Sequence, residues 1–305
     1  MDSTTTREAG GGTAASSMLG SWRWRAKNLQ PSLRYRRSHQ PVPEEAARVV
    51  DALNRDGAAV TSVDALVGQD GLWEELKRYA DRAAEAHAAE LEEARRTADV
   101  ETPGKSYIFK LVRGPVTLTP ENDILARFAV QPAILGIANA YVGMYTRLRN
   151  VDIWHTLKSS LPARDSQLWH RDPPDDRHLV KFFVYLTDVD EGSGPFIYAG
   201  GTHPKGDVHG MAAATKMKKA WRTTDEQMAE IAPPERWING VGPAGTIVIA
   251  DTRGYHKGGE CRDRDRILYH LLFSSAGHRK PGSKLAQPVN VSGELSAEQR
   301  FALGA

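Results

Sequence analysis

Apolar positions follow helical spacing in the first half of the chain and collect into short β-rich runs from Val151 onward. Ala46, Val49, Val50 and Leu53 recur at helical intervals behind Pro43-Glu44-Glu45, which predicts a helix over 43–55 ended by Asn54-Arg55-Asp56-Gly57. Ala58-Ala59-Val60 reads as a short strand. Leu72 to about Thr97 contains no Gly or Pro and carries Glu74–Arg78 and Glu92–Arg96 at i,i+4. That predicts one long helix, with His87 as a packed or solvated side chain inside it. Residues 106–112 read as a strand. Thr119-Pro120-Glu121 caps and starts a further helix, and Pro132 breaks the pattern, so two short helices are expected over 121–142. Strands are expected at 151–158, 179–187, 195–199, 246–250 and 266–275, with turn signals between them. A helical insert over about 210–232 interrupts this half, with Thr224 and Gln227 spaced as a capping box. Helices first and strands after them give an α+β protein, not a parallel α/β wheel.

Length and composition narrow this picture. The 305 residues suit one large domain or two modest ones. Forty Lys/Arg against 38 Asp/Glu leave a net charge of +2, so neither a nucleic acid nor a membrane is expected as a partner. One cysteine, Cys261, excludes a disulfide framework and any multi-cysteine metal site. No apolar run approaches the ~20 residues of a membrane helix. The first twenty residues lack the basic and apolar regions of a signal peptide, so a cytoplasmic location is expected. Residues 1–40 are set apart, with seven Lys/Arg against two acids. Met1 to about Gly20 is poor in large apolar residues and reads as disordered. The stretch after it alternates Arg with Trp22, Trp24 and Tyr35, and reads as an arm packing on its own protein. The expected division is this segment, 1–40, and a single domain, 41–305. Nothing demands more than a monomer or homodimer.

The chemistry concentrates in Gln167-Leu-Trp-His170-Arg-Asp172. In extended chain, side chains at i and i+2 share a face, so His170 and Asp172 can hold one ion together. The best third ligand is His256, in the turn-rich exit from the strand Thr246-Ile-Val-Ile-Ala250. Two histidines and one carboxylate on one face match the set that binds non-haem Fe(II). Arg266 heads the apolar strand Arg266–Ser274. An arginine directed into an apolar barrel is costly unless it meets an anion, and its planar fork suits a carboxylate. Arg262 and Arg264 are rivals for that role, but Cys261-Arg-Asp-Arg-Asp265 reads as a solvated turn. His155, His203 and His270 are expected to be structural, and Cys261 a loop thiol. A glycine-rich phosphate loop and a GxSxG elbow are both missing from the sequence.

These residues, together with Gln167–Asp172, Val180–Asp190, Gly194–His203 and Ala250–Gly259, resemble the Fe(II)/2-oxoglutarate dioxygenases, and among them the phytanoyl-CoA dioxygenase (PhyH-like) family. The resemblance covers roughly 105–276. It implies a double-stranded β-helix, the jelly-roll or cupin-like barrel, flanked by N-terminal helices and carrying a helical insert at about 205–240. It further implies that His170, Asp172 and His256 hold Fe(II). The co-substrate 2-oxoglutarate would chelate the iron and meet Arg266 at its distal carboxylate, with Gln167, Thr156 and Lys181 assisting. O2 is the other co-substrate, and succinate and CO2 leave. Related halogenases carry a small residue where Asp172 stands, so the expected outcome is hydroxylation or another oxidation of a small-molecule substrate, in specialised metabolism. Tyr185, Trp154 and Trp169 are candidate substrate contacts. Whether Lys181, Phe183 and Tyr185 face the cavity or the outside stays open at this point. A cupin-like binding protein without turnover, and a zinc hydrolase or isomerase on the same ligands, are the alternatives; the second leaves Arg266 without a role.

Overall fold

Residues 179–185 alternate so that Lys181, Phe183 and Tyr185 share one face of a strand and Val180, Phe182 and Val184 the other, and this alternation organises the whole protein. The computed structural model describes residues 12–38, 41–68, 71–100, 105–112, 115–173, 175–209, 222–278, 285–286 and 289–305. Its larger sheet is antiparallel, in the order β1 (Ala58–Ser62), β7 (Thr246–Ala250), β4 (Leu179–Tyr185), β9 (Arg266–Ser274), β3 (Arg147–Thr156) and β2 (Ile108–Lys110). A smaller antiparallel sheet holds β6 (Trp237–Asn239), β5 (Phe196–Ala199) and β8 (His256–Gly258).

Register decides which residues meet. Phe183 lies opposite Val248 and His270, and Lys181 opposite Ala250 and Leu272. On the inner face Phe183, Tyr185, Val248 and Leu268 pack against Phe196 and Tyr198 of the smaller sheet. On the outer face Val180, Phe182, Ile249, Leu271 and Phe273 join the main core with apolar residues of the helices. The helices supplying that layer are α2 (Glu44–Arg55), α4 (Leu72–Ala86), α6 (Ile124–Ala129) and α7 (Pro132–Val142). A one-residue slip of β4 would exchange the two faces, so burial on both sides pins the register.

The expected elements at 43–55, 58–60, 121–142 and the five strand runs all have counterparts, and Thr224 and Gln227 form their capping box at α8 (Asp225–Ala229). Four differences have local causes. The expected long helix breaks at His87 into α4 and α5 (Ala88–Thr97); the His87 ring turns to Glu90 and Phe109, and its backbone leaves helical geometry. Helix α1 (Gly12–Ser38) begins inside the stretch expected to be disordered, with residues 1–11 outside the described part. Its Trp24, Asn28 and Tyr35 sit on the body of the protein: Trp24 Nε1 donates to Asp176 (2.9 Å), Asn28 Nδ2 donates to Ser275 Oγ (3.2 Å), and Tyr35 packs edge-on against Tyr145. The expected insert at 205–240 contains strand β6, because Trp237–Asn239 find the free edge of β5; residues 210–221 lie outside the described part. Helix α9 (Ala297–Leu303), with a Ser296/Gln299 capping box, packs near β3. The remaining short helix, α3, spans Val63–Leu66. No helix among the described residues is long and apolar enough to cross a membrane.

Candidate active site

The site lies between the two sheets, where an extended segment after a single 3-10 turn (Asp165–Gln167) passes β8. Asp165 adopts φ 49°, a left-handed conformation that Asp tolerates, and so redirects the chain into that passage. His170 and His256 exchange both backbone hydrogen bonds at 2.9 Å, and Asp172 N donates to Thr252 O at 2.9 Å. Backbone pairing therefore places all three side chains before any metal is considered. One donor atom from each of His170, Asp172 and His256 lies within 4.8 Å of the others.

Each imidazole is held through its other nitrogen. Nδ1 of His170 donates to Leu168 O and Nδ1 of His256 to Gly254 O, both at 3.0 Å, which leaves each Nε2 with a lone pair for coordination. Burial, followed by the neighbouring charges of His256 and Arg222, pushes His170 down to about 2. Burial lowers His256 to about 4. Both are neutral ligands at neutral pH. Burial opposes ionisation of Asp172, yet the Lys181 ammonium, 2.5 Å from Oδ2, holds the carboxyl far below its usual range. Two neutral imidazoles and one carboxylate in this proximity fit a divalent transition metal with further positions open.

A cavity opens over these ligands and reaches Arg266. Arg266 is 5% exposed, and its Nε and Nη1 are buried without a hydrogen-bond partner. A charge so placed is expensive unless an anion completes it. The wall opposite is bare backbone: a Cβ on Gly258 would stand 3.8 Å from Arg266 Nη2, so a longer side chain there would fill the space beside the guanidinium. Thr156 is the cross-strand neighbour of Arg266, and its Oγ1 is buried without a partner as well. The rivals are engaged elsewhere: Arg264 is half exposed and pairs with Asp190, and Arg262 binds Glu260 and the carbonyls of Ser159 and Leu161.

The cavity brings together His170, Asp172, His256, Arg266, Gln167, Lys181 and Trp154. Lys181 faces inward but pairs with Asp172, and Gln167 gives its carbonyl oxygen to Arg164 N (3.1 Å). Trp154 keeps a buried, unpartnered Nε1 and stacks on His270, with ring centres 4.4 Å apart. Thr156, Tyr185 and Trp169 are not part of the lining. The Tyr185 hydroxyl accepts from Phe196 N between the sheets (3.1 Å). Trp169 alternates away from His170, packs on Trp237 and donates to Asp225 (2.7 Å). His155 and His203 bind Asp265 and Asn54 O, and His270 lies 3.5 Å from Asp152. The wall also includes Lys105, Tyr107 and Phe196, which the sequence reading did not single out; a lysine ahead of a short strand carries no signal of its own.

The profile of the family described as Phytanoyl-CoA dioxygenase (PhyH) matches residues 45–266. Among solved structures, AviO1 from Streptomyces viridochromogenes Tue57 is similar at 18% identity and a TM-score of 0.50, covering 78% of this chain and 97% of its own. EctD from S. alaskensis, solved with 2-oxoglutarate and 5-hydroxyectoine, is similar at 16% identity and a TM-score of 0.52, covering 86% of this chain and 90% of its own. Both are likenesses of fold. Comparison with curated proteins gives no match.

Proposed function

The chain belongs to the phytanoyl-CoA dioxygenase (PhyH) family, and from that premise we propose that it is an Fe(II)- and 2-oxoglutarate-dependent dioxygenase that oxidises a C–H bond of a small molecule. The two facing sheets are then a double-stranded β-helix, and residues 41–305 one catalytic domain with 1–40 as its arm. One observation carries this reading. A buried arginine without a partner shares a cavity with two neutral histidines and an ionised aspartate. A metal alone explains the ligands and leaves Arg266 unanswered, whereas a chelating keto acid with a second carboxylate answers both.

His170, Asp172 and His256 would hold the metal through Nε2, a carboxylate oxygen and Nε2. Lys181 keeps Asp172 ionised and occupies its Oδ2. Arg266 would pair with the distal carboxylate of 2-oxoglutarate, and Thr156 across the strand from it would support the guanidinium from behind the cavity wall. Phe183, Phe196 and Leu268 supply apolar wall and keep water from these charges. When bound, Fe(II) with 2-oxoglutarate and O2 supplies the oxidation, succinate and CO2 being released.

The test needs no substrate. Fe(II) and 2-oxoglutarate are added without oxygen to the wild type and to Arg266→Ala, and the visible charge-transfer band of the chelated keto acid is titrated. Removing one partner of a desolvated charge pair costs about 2–5 kcal/mol, so the 2-oxoglutarate concentration at half-saturation should rise at least about thirty-fold in the variant. Tight zinc binding with no band would turn the assignment to a hydrolase. Equal half-saturation in both proteins would remove Arg266 from the co-substrate site.

A further inference from the structure

The cavity wall carries more positive charge than the metal and co-substrate consume. Lys105, Lys181 and Arg266 line it against the single carboxylate of Asp172, and both lining histidines are neutral. A divalent cation and a 2-oxoglutarate dianion entering together cancel each other, so the excess of two positive charges survives full loading. Arg266 is satisfied by the distal carboxylate, and Lys181 already has Asp172. Lys105 is left over.

Lys105 is exposed on its outer side and lines the cavity on its inner side, which places it at the mouth. Among the described residues it forms no ion pair. The surrounding protein displaces water from its ammonium and lowers its pKa, and the like charges of Lys181 and Arg222 lower it further. Asp172 and Asp165 act on it in the opposite sense. Arg222 stands near the same mouth. It precedes Thr223, whose backbone exchanges two hydrogen bonds with Trp169, next to the ligand His170. Outside the wall, Arg222 and Asp165 offset one another, so the wall's own excess stands.

We propose that the substrate of this enzyme carries an anionic group, a carboxylate or a phosphoryl or sulfate ester, which docks on Lys105 at the cavity mouth with Arg222 beside it. The inference rests on the dioxygenase reading above for the place of Arg266 and of the metal. It adds a recognition element that points the rest of the substrate inward, past Trp154 and Phe183, toward His170, Asp172 and His256. A neutral or cationic substrate would leave Lys105 facing the cavity without a counter-charge.

The test uses full-length protein loaded with Ni(II) and saturated with 2-oxoglutarate under air, where nickel blocks turnover. Inorganic phosphate and acetate are titrated separately by calorimetry at constant ionic strength. Both are run on the wild type, on Lys105→Met and on Lys105→Met/Arg222→Met. Saturable binding of at least one anion is expected, weakened about ten-fold in the single variant and lost in the double. Stronger binding of phosphate marks a phosphoryl or sulfate substrate, and stronger binding of acetate a carboxylate. The proposal is overturned if neither anion binds, or if binding survives the double variant, which would put the anion on the metal. It is also overturned if Lys105→Met weakens 2-oxoglutarate itself, since the lysine would then serve the co-substrate. Nickel and 2-oxoglutarate affinities, measured first on each protein, separate these outcomes from failure of the dioxygenase reading, which would appear as wild type that binds nickel but not 2-oxoglutarate.

Discussion

A Cβ added at Gly254 would stand 1.9 Å from the Tyr198 hydroxyl and 3.0 Å from His203 N, both buried. The Tyr198 hydroxyl is held in turn by Asp251 O at 2.9 Å and has nowhere to retreat. Gly254 O is also the acceptor that sets the His256 ring with Nε2 toward the metal position. A methyl group at this point therefore acts on a ligand it never touches. Gly254→Ala should lower stability by about 1–3 kcal/mol, the usual cost of overpacking, and weaken metal binding by more than Gly258→Ala does. The Gly258 Cβ meets only ordinary contacts at 3.7 and 3.8 Å. Nickel titration beside denaturant unfolding of both variants checks this, and equal metal affinities would disconnect the Gly254 carbonyl from the His256 pose. Arg266 is a second residue where shape matters beyond charge. Arg266→Lys keeps a cation without the planar fork, so 2-oxoglutarate affinity should fall between wild type and Arg266→Ala.

Asp265 joins three elements at the entry to β9. Its carboxylate binds His155 of β3 (2.8 Å), Lys158 N (2.7 Å) and Arg95 of α5 (2.9 Å), one residue before Arg266. Burial opposes its ionisation, but these partners outweigh burial and bring its pKa down to about 2. A carboxyl depressed in the folded state stabilises above its unfolded value of about 3.9, and that contribution fades as pH falls through about 2. Asp265→Asn should therefore be less stable than wild type at pH 7, and the gap should close between pH 4 and pH 2. Denaturant unfolding across that range decides it; a gap independent of pH would mean that Asp265 acts through shape alone. The same element shows what a sequence can and cannot announce. Strands β4, β7 and β9 are long apolar or alternating runs, and β9 with Arg266 at its head is legible from residue types alone. Strands β6 and β8 are three residues each and exist because β5 lies between them, so nothing in Trp237–Asn239 or His256–Gly258 marks them as strands. Period-two alternation places Lys181 with Phe183 and Tyr185 but leaves their face undecided until the helices cover the other side. Lys181 consequently reads as a co-substrate contact where the fold gives it to Asp172, and Tyr185 and Trp169 read as substrate contacts where they pack. His170 and Asp172 were legible because two positions of extended chain suffice to bring them together.

At the scale of the molecule, α1 reaches from its own end of the chain to the segment that follows a metal ligand. Residues 175–178 lie between Asp172 and β4. There the buried Asp176 takes hydrogen bonds from Trp24 Nε1 (2.9 Å), Ser275 N (2.9 Å) and Ser275 Oγ. The Trp24 ring lies against His178, with centres 5.4 Å apart, and Arg177 covers it at 5.5 Å. The arm thus closes the segment that carries the chain from Asp172 into the main sheet, far from it in sequence. Trp24→Ala removes a buried-side hydrogen bond worth about 1 kcal/mol and the apolar contact of a partly buried ring. A total loss on the order of 2 kcal/mol is expected, with Trp24→Phe intermediate because it keeps an aromatic ring in place while losing the donor and part of the contact area. Because stability is distributed locally, the loss should concentrate where the arm docks. Amide exchange should quicken at residues 175–178 and 275–277 while β4 and β7 keep their protection, and nickel affinity should fall because Asp172 is anchored on one side only. Exchange unchanged at 175–178 in Trp24→Ala would mean that the Asp176–Ser275 bonds hold the segment without the arm, and the helix would then serve its exposed basic face and not the site.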